Sequence, residues 1–238
     1  MVQVIATRRT RNREARLQGY LATALRIATA EGLDALTMQR LADELDCAVG
    51  TVYTYFPSKS ALVAEVQQQA IERLTRSYLQ LQSELVDADP LTHVVAIARF
   101  WIDIVHTYPE ETRLLQLLMS QGEHALNADD VVRVAPGALR HLELAREPIA
   151  AATAAGAFHA GDPLARTITL VAAINGVLQV SRLAHLDPEL LNGERLAAAL
   201  VDDVLSGWGA DLGALALAHS HVDVLAARGP LARPLQES

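Results

Sequence analysis

An all-α protein of nine or ten helices is predicted by three features of this 238-residue chain. Apolar residues recur at i, i+3, i+4 and i+7 in nearly every segment, and no stretch alternates with period two for the length of a strand. Proline, glycine and capping residues punctuate these stripes at helix-like intervals. Hydrophobic residues make up 51% of the chain and charged residues 20%, which supports a real core and excludes disorder over most of its length. The single cysteine, Cys47, excludes a disulfide scaffold. The longest uncharged apolar run, Thr167 to Ser181, is 15 residues between Arg166 and Arg182, where a membrane span needs about 20. The opening Met1 to Ala6 is short for a signal-peptide core and runs into arginines, so a cytoplasmic protein without membrane contact is expected.

The first stripe, Leu17, Leu21, Ala24, Leu25 and Ala28, predicts a helix over 13–31 closed by Gly32. Thr37 caps a short second helix that buries Met38, Leu41, Ala42 and Leu45. A third holds Val49, Val52, Tyr53 and Phe56, and Pro57 stops it because the residue before proline is pushed out of the helical region. Ser58 caps a long fourth helix to about Val86. Pro90 to His106 and Pro109 to Ser120 follow, with Tyr108-Pro109 as the break, and the Gly-, Asp-, Asn- and Pro-rich stretch 121–137 is expected as a loop. Helix returns over Ala138 to Ala157, with a kink expected at Pro148. Asp162-Pro163 opens an almost wholly apolar helix to about His185, and Leu196, Ala197, Leu200, Val201, Val204, Leu205 and Trp208 mark the ninth. A weaker tenth spans Asp211 to Arg228, leaving 229–238 as a flexible tail.

The net charge of −8 conceals an asymmetry. Residues 1–60 carry a net +2 and residues 61–238 a net −10, and Arg8, Arg9, Arg11 and Arg13 meet no acid in the first 13 residues. A basic arm over 1–12 on an acidic body suggests a polyanionic partner met at one end. Ala42, Asp46 and Val52 stand at i, i+4 and i+10, the spacing a helix-turn-helix requires: a small residue where helices cross, one tolerating a left-handed turn, and an apolar plug.

The stretch Leu36 to Leu62, LTMQRLADELDCAVGTVYTYFPSKSAL, resembles the DNA-binding domain of TetR-family transcriptional regulators. Thr37, Ala42 and the run Gly50-Thr51-Val52-Tyr53-x-Tyr55-Phe56-Pro57-Ser58-Lys59-x-x-Leu62 carry the match, and with the first helix and its Glu31-Gly32 it covers roughly 13–62. The chain departs from the family pattern at Asp46, mostly glycine there, at Cys47, usually aliphatic, and at Ala48, often a capping serine. The resemblance implies a helix-turn-helix domain over 13–60, with the motif at 37–56, followed by a regulatory domain over 61–228. It further implies an effector pocket and a homodimer formed through the helices at 162–185 and 194–208, on a palindromic double-stranded operator.

The residues of the third helix fit that reading on their own chemistry. Ala48, Gly50, Thr51, Thr54 and Tyr55 are small or hydrogen-bonding, suited to close approach in a major groove. Lys59, the chain's only lysine, sits in the first turn of the fourth helix, where the dipole disfavours a cation and a phosphate would relieve the conflict. Thr37, Gln39 and Arg40 are expected backbone contacts. The resemblance implies a phosphate contact for the Tyr53 hydroxyl, with core packing as the alternative.

Pocket candidates are the aromatic or polar residues interrupting apolar helices: Phe100, Trp101, Ile104, His106, Gln116, Met119, His141, Asn175 and Gln179, each with ordinary packing as the competing reading. Few charges in those stretches suggest a largely apolar effector, and no cofactor is expected. The competing class is an all-helical enzyme carrying a vestigial motif. Its local support is thin: Asp129-Asp130 and Asp202-Asp203 lack a third aspartate, Gly207-x-Gly209 follows no strand, and His219 and His221 have no metal-binding spacing.

Overall fold

The computed structural model describes residues 8–234, the side chains of 121–124 and of 182 excepted. In chain order the helices are α1 (Arg8–Glu31), α2 (Met38–Glu44), α3 (Val49–Tyr53), α4 (Lys59–Glu84), α5 (Pro90–Thr107), α6 (Pro109–Ala125), α7 (Ala128–Ala154), α8 (Pro163–Val180), α9 (Gly193–Gly207) and α10 (Leu212–Ala226). One 3₁₀ turn, Ser181–Leu183, extends α8, and no strand occurs among the described residues. The fold is all-α.

The chain divides into two compact units. One comprises Met1–Glu72 with Glu110–Gly137, and the other Arg73–Pro109 with Ala138–Ser238. Chain order alone does not separate them, because α4 and α7 each contribute to both.

The first unit is built on the face of α1 expected from its stripe. Leu21, Ala24, Ile27 and Ala28 are at most 1% exposed, and they pack with Leu41, Ala42, Val52, Phe56, Leu62 and Leu114. Gly32 takes φ +96° and ends α1 by donating its N–H to the Ala28 carbonyl. The helix begins earlier than the stripe suggests: residues 8–12 of the expected arm are helical, arginine being a good helix former, while residues 1–7 lie outside the described residues.

The expected loop over 121–137 is a second difference. α6 continues to Ala125 and α7 starts at Ala128. Asn127 supplies the start, its Oδ1 accepting the Asp130 N–H at 2.9 Å, and Asp129 and Asp130 suit the positive end of the helix. Ser60 donates to the Asp130 carboxylate and accepts the Asn127 N–H, and Arg133 reaches Asp130, Glu65 and the Ala61 carbonyl. These bonds tie the start of α7 to the first turns of α4 and hold the Asp130 carboxyl below the usual carboxylate range, the Ser60 hydroxyl first among the causes. α7 continues as one helix through both Pro136 and Pro148.

The second unit is organised around α5, whose Val94, Ala96, Ile97 and Phe100 are at most 1% exposed. Asp89 caps it, accepting from the N–H groups of Leu91 and Thr92, with Pro90 at the first helical position. α10 lays Leu215, Ala218, Val222 and Leu225 into this core, and α8 buries Thr167, Leu170, Ile174 and Leu178. After α9, Gly209 at φ +102° allows the chain to pass the His159 ring, which a Cβ there would approach to 2.6 Å.

α8 is long and apolar enough by length and composition to cross a membrane, with mean hydropathy 1.3 over 18 residues and only 22% of that stretch buried. The 15-residue apolar run ends at Arg166, but that guanidinium is accommodated 5.1 Å from the Trp208 ring and 5.6 Å from the Phe158 ring.

The expected flexible tail is a further correction, as far as Pro234, the last described residue. Leu231 and Ala232 are 2% and 0% exposed, and Arg233 bonds Glu84 through its guanidinium. The segment shows no periodicity, so its docking is invisible in the sequence; residues 235–238 lie outside the described residues.

Candidate nucleic-acid interface

The two short helices of the motif are positioned by local chemistry. Thr37 Oγ1 accepts the Arg40 N–H at 3.0 Å and starts α2. Asp46 takes φ +47° in the turn, and the Cys47 N–H returns to the Ala42 carbonyl at 3.0 Å. Ala42 and Val52 are both 0% exposed, one permitting close crossing and the other filling the angle between the helices. The three positions singled out by spacing therefore occupy the roles that spacing assigns them. α3 opens at Ala48 without a side-chain cap.

This arrangement turns the polar side of α3 outward. Ala48, Gly50, Tyr53 and Thr54 are exposed, with Tyr53 at 51%, while Thr51 and Tyr55 are half-buried. Tyr53 is thus not a core residue. Tyr55 differs: its ring lies 5.0 Å from Tyr20 and 6.4 Å from Phe56, in an aromatic cluster beneath the helix. Tyr20 in turn lies 3.7 Å from the Cys47 sulfur, and burial first, then that contact, pushes its hydroxyl up to about 12.

The cations fall into two groups. Arg40 reaches Glu31 at 3.1 Å and Glu44 at 2.9 Å, Arg26 shares Glu44 at 2.7 Å, and Gln39 bonds Asp43 at 2.7 Å. The Arg40 and Arg26 guanidinium groups hold the Glu44 carboxyl below its ordinary range. Lys59 donates from Nζ to the Leu33 carbonyl at 2.6 Å, which fixes the ammonium over the α1–α2 turn and leaves its other hydrogens for a further acceptor.

Arg8, Arg9, Arg13 and Arg16 form the second group. With Thr54 and Tyr55 they line an open groove of about 940 Å³. Arg13 lies 5.8 Å from the centre of the Tyr55 ring. Arg11 is not among the residues lining the groove; it stands about 160° around the helix from Arg9 and Arg13. Arg16 is not among the contacts expected from the sequence, though its i, i+4, i+7 relation to Arg9 and Arg13 carries the signal.

Seven of the nine pocket candidates lie in the second unit and two in the first. Phe100, Trp101 and Ile104 belong to the core of the second unit, Phe100 lying 5.4 Å from Tyr78. His141 meets Thr75 Oγ1 at 3.0 Å in the same unit, and burial pushes its imidazole down to about 4. His106 is exposed and pairs with Glu194 at 2.8 Å. Asn175 spends its amide on the Val171 carbonyl of its own helix, and Gln179 is exposed. Gln116 and Met119 fall in the first unit, Met119 at 76% exposure. Polarity within an apolar stripe marks an interruption, not the direction in which the residue faces.

A three-helix unit with an exposed short helix set by a left-handed turn defines the helix-turn-helix class of DNA-binding domain. Residues 21–66 match the family described as bacterial regulatory proteins, tetR family. The chain is 39% identical over 59 residues to the HTH-type transcriptional repressor KstR of Mycolicibacterium smegmatis, a match spanning 25% of this chain and 29% of that repressor. Among solved structures, a regulatory protein of the tetR family from Rhodococcus RHA1 is similar at TM-score 0.62 and 16% identity, covering 82% of this chain and 97% of that one. AibR in complex with isovaleryl coenzyme A and operator DNA is similar at TM-score 0.55 and 17% identity, covering 67% and 83%. At these identities the structural likeness establishes the fold.

Proposed function

We propose that this protein is a homodimeric, ligand-responsive transcriptional repressor of the cytoplasm that binds a palindromic operator and is released by a small, largely apolar effector. The outward side of α3 carries the reading: the exposed Ala48, Gly50 and Thr54 and the half-buried Thr51 put little bulk between the helix backbone and a base edge, and the Thr54 hydroxyl, which donates to the Thr51 carbonyl at 2.6 Å, keeps lone pairs for a base donor. Thr37, Gln39 and Arg40 of α2, with Tyr53 and Lys59, flank that face as phosphate contacts. Arg40 and Gln39 exchange carboxylate partners for phosphate on binding. The operator-bound AibR supports a DNA-binding role for this fold, and KstR, through the DNA-binding domain, supports repression.

The dimer forms through α8 and α9. On α8, Ala165, Ile168, Ala172, Gly176 and Gln179 are all exposed at helical spacing, an apolar and mostly small-residue face that suits a second copy of the same helix. Two-fold symmetry then sets two α3 helices about 34–36 Å apart, or a multiple of that, on the duplex. The effector site draws on Phe100, Trp101, Ile104 and His141, and the effector works by binding one spacing of the two α3 helices better than another.

The test is binding of the full-length protein to duplexes from around its own gene, followed by fluorescence anisotropy as salt is raised. A saturable, salt-sensitive complex of one dimer per palindrome is expected. Lys59→Ala should weaken binding to all duplexes alike and lower the salt slope by about one. A folded dimer that binds no duplex refutes the reading.

A further inference from the structure

We propose that the α1 groove is a second, preformed phosphate-binding element for the duplex backbone, with Arg16 a member and Arg11 not. This deepens the DNA-binding reading and rests on it. Its ligand is the sugar-phosphate strand flanking the site read by α3, and its contribution is independent of base sequence.

Three observations carry the assignment. Arg9, Arg13 and Arg16 recur on one side of α1, and with Arg8 they face Thr54 and Tyr55 across the groove; no carboxylate is among the residues lining it. Four guanidinium groups gathered without an intervening acid repel one another and are relieved by an anion whose oxygens match their planar forks. The groove is also held in shape. α1 is helical from Arg8, and Arg13 rests against a Tyr55 ring that is itself packed on Tyr20 and Phe56. Guanidinium groups on a formed helix lose less freedom on binding than the same groups on an extended arm.

The geometry selects a polymer over a single phosphate. Arg9 and Arg16 are seven residues apart, about 10 Å along a helix at 1.5 Å per residue, or roughly three steps of a DNA strand at 3.4 Å each. Thr54 closes the groove at the end of α3, so one surface is continuous from the helix that faces bases to the arginines that would meet the adjoining backbone. Arg11 is not among the residues that line it.

The experiment uses the full-length protein and a labelled mixed-sequence duplex of about 30 bp, three turns of DNA, read by anisotropy between about 50 and 200 mM KCl. Arg16→Ala should lower the slope of log K against log salt by about 0.9, and the Arg9→Ala, Arg13→Ala, Arg16→Ala triple variant by about 2.7. Arg16→Lys should keep most of the slope, and Arg11→Ala should keep the parental value. A triple variant with the parental slope, or Arg11→Ala falling as far as Arg16→Ala, overturns the groove while leaving the α3 reading in place. A folded parent that binds no duplex overturns both. All four side chains are exposed, so circular dichroism and gel filtration of every variant should match the parent.

Discussion

The backbone N–H of Leu231 donates to Oδ2 of Asp103 at 2.7 Å, joining residues 128 apart in the chain. Asp103 is 7% exposed, and its other oxygen accepts from Arg99 Nε at 2.9 Å. Beside it, the Arg233 carbonyl accepts from Tyr108 Oη at 2.7 Å and Ser77 Oγ at 3.0 Å, so the last described residues bridge α4, α5 and the α5–α6 junction. Asp103→Ala leaves the buried Leu231 N–H without its acceptor, at a cost of about 1–3 kcal/mol. Thermal unfolding should fall by about 2–4 °C for each kcal/mol in a chain of this size. A variant cut after Arg228 should lose at least as much; parental melting of both would show that the segment contributes nothing.

His141 predicts an acid-sensitive second unit. Its imidazole is largely enclosed, bonded to Thr75, and titrates near 4 in the folded protein against about 6.5 unfolded. The folded state therefore binds fewer protons than the unfolded state between those values. The neutral histidine imposes no penalty above pH 6.5, and stability is lost as pH falls from 6.5 toward 4, at most by about 1.4 kcal/mol per unit. Urea midpoints at about pH 7 and about pH 5, on either side of the unfolded value, should differ more for the parent than for His141→Gln. Equal differences would assign the acid sensitivity elsewhere.

Gly50 separates stability from binding. A Cβ at this position meets nothing within 4 Å, and the residue lies within α3 without a positive φ. Gly50→Ala should raise the urea-unfolding free energy by about 0.5–1 kcal/mol through helix propensity. The same methyl stands on the exposed side of α3, so if that side approaches base edges as proposed, affinity for duplex should drop. Raised stability with unchanged affinity would mean that this face does not approach DNA.

The exposed side of α8 predicts the oligomeric state. Ile168 is 51% exposed on a mostly apolar face, and Ile168→Glu would place two like charges near each other in a two-fold α8 pairing. Light scattering behind gel filtration should report the parent as a dimer and this variant as a monomer with parental helicity. A variant that stays dimeric places the interface elsewhere.

The first unit is largely legible in the sequence because its signals are local. The Gly32 stop, the Thr37 cap and the Ala42, Asp46 and Val52 triplet each depend on residues within a few turns, and each appears in the fold where the spacing puts it. The stretch 121–137 misleads because its composition resembles a loop, while the deciding contacts, Ser60 with Asp130 and Arg133 with Glu65, cross some 70 residues. Met119 and Gln179 mislead for a related reason: a residue's type does not reveal which way its helix is rolled.

The helical class, the turn that sets α3 and the basic start of an acidic chain can all be read without coordinates, since period, cap and charge are written in near neighbours. That residues 8–12 are helical, that Arg16 and not Arg11 shares a groove with Tyr55, and that Leu231 is buried on Asp103 are settled by the folded chain alone. Such relations depend on how one helix is rotated against another and on where a distant amide finds its acceptor. Packing and hydrogen-bond satisfaction govern both, and neither leaves a periodic trace in the chain.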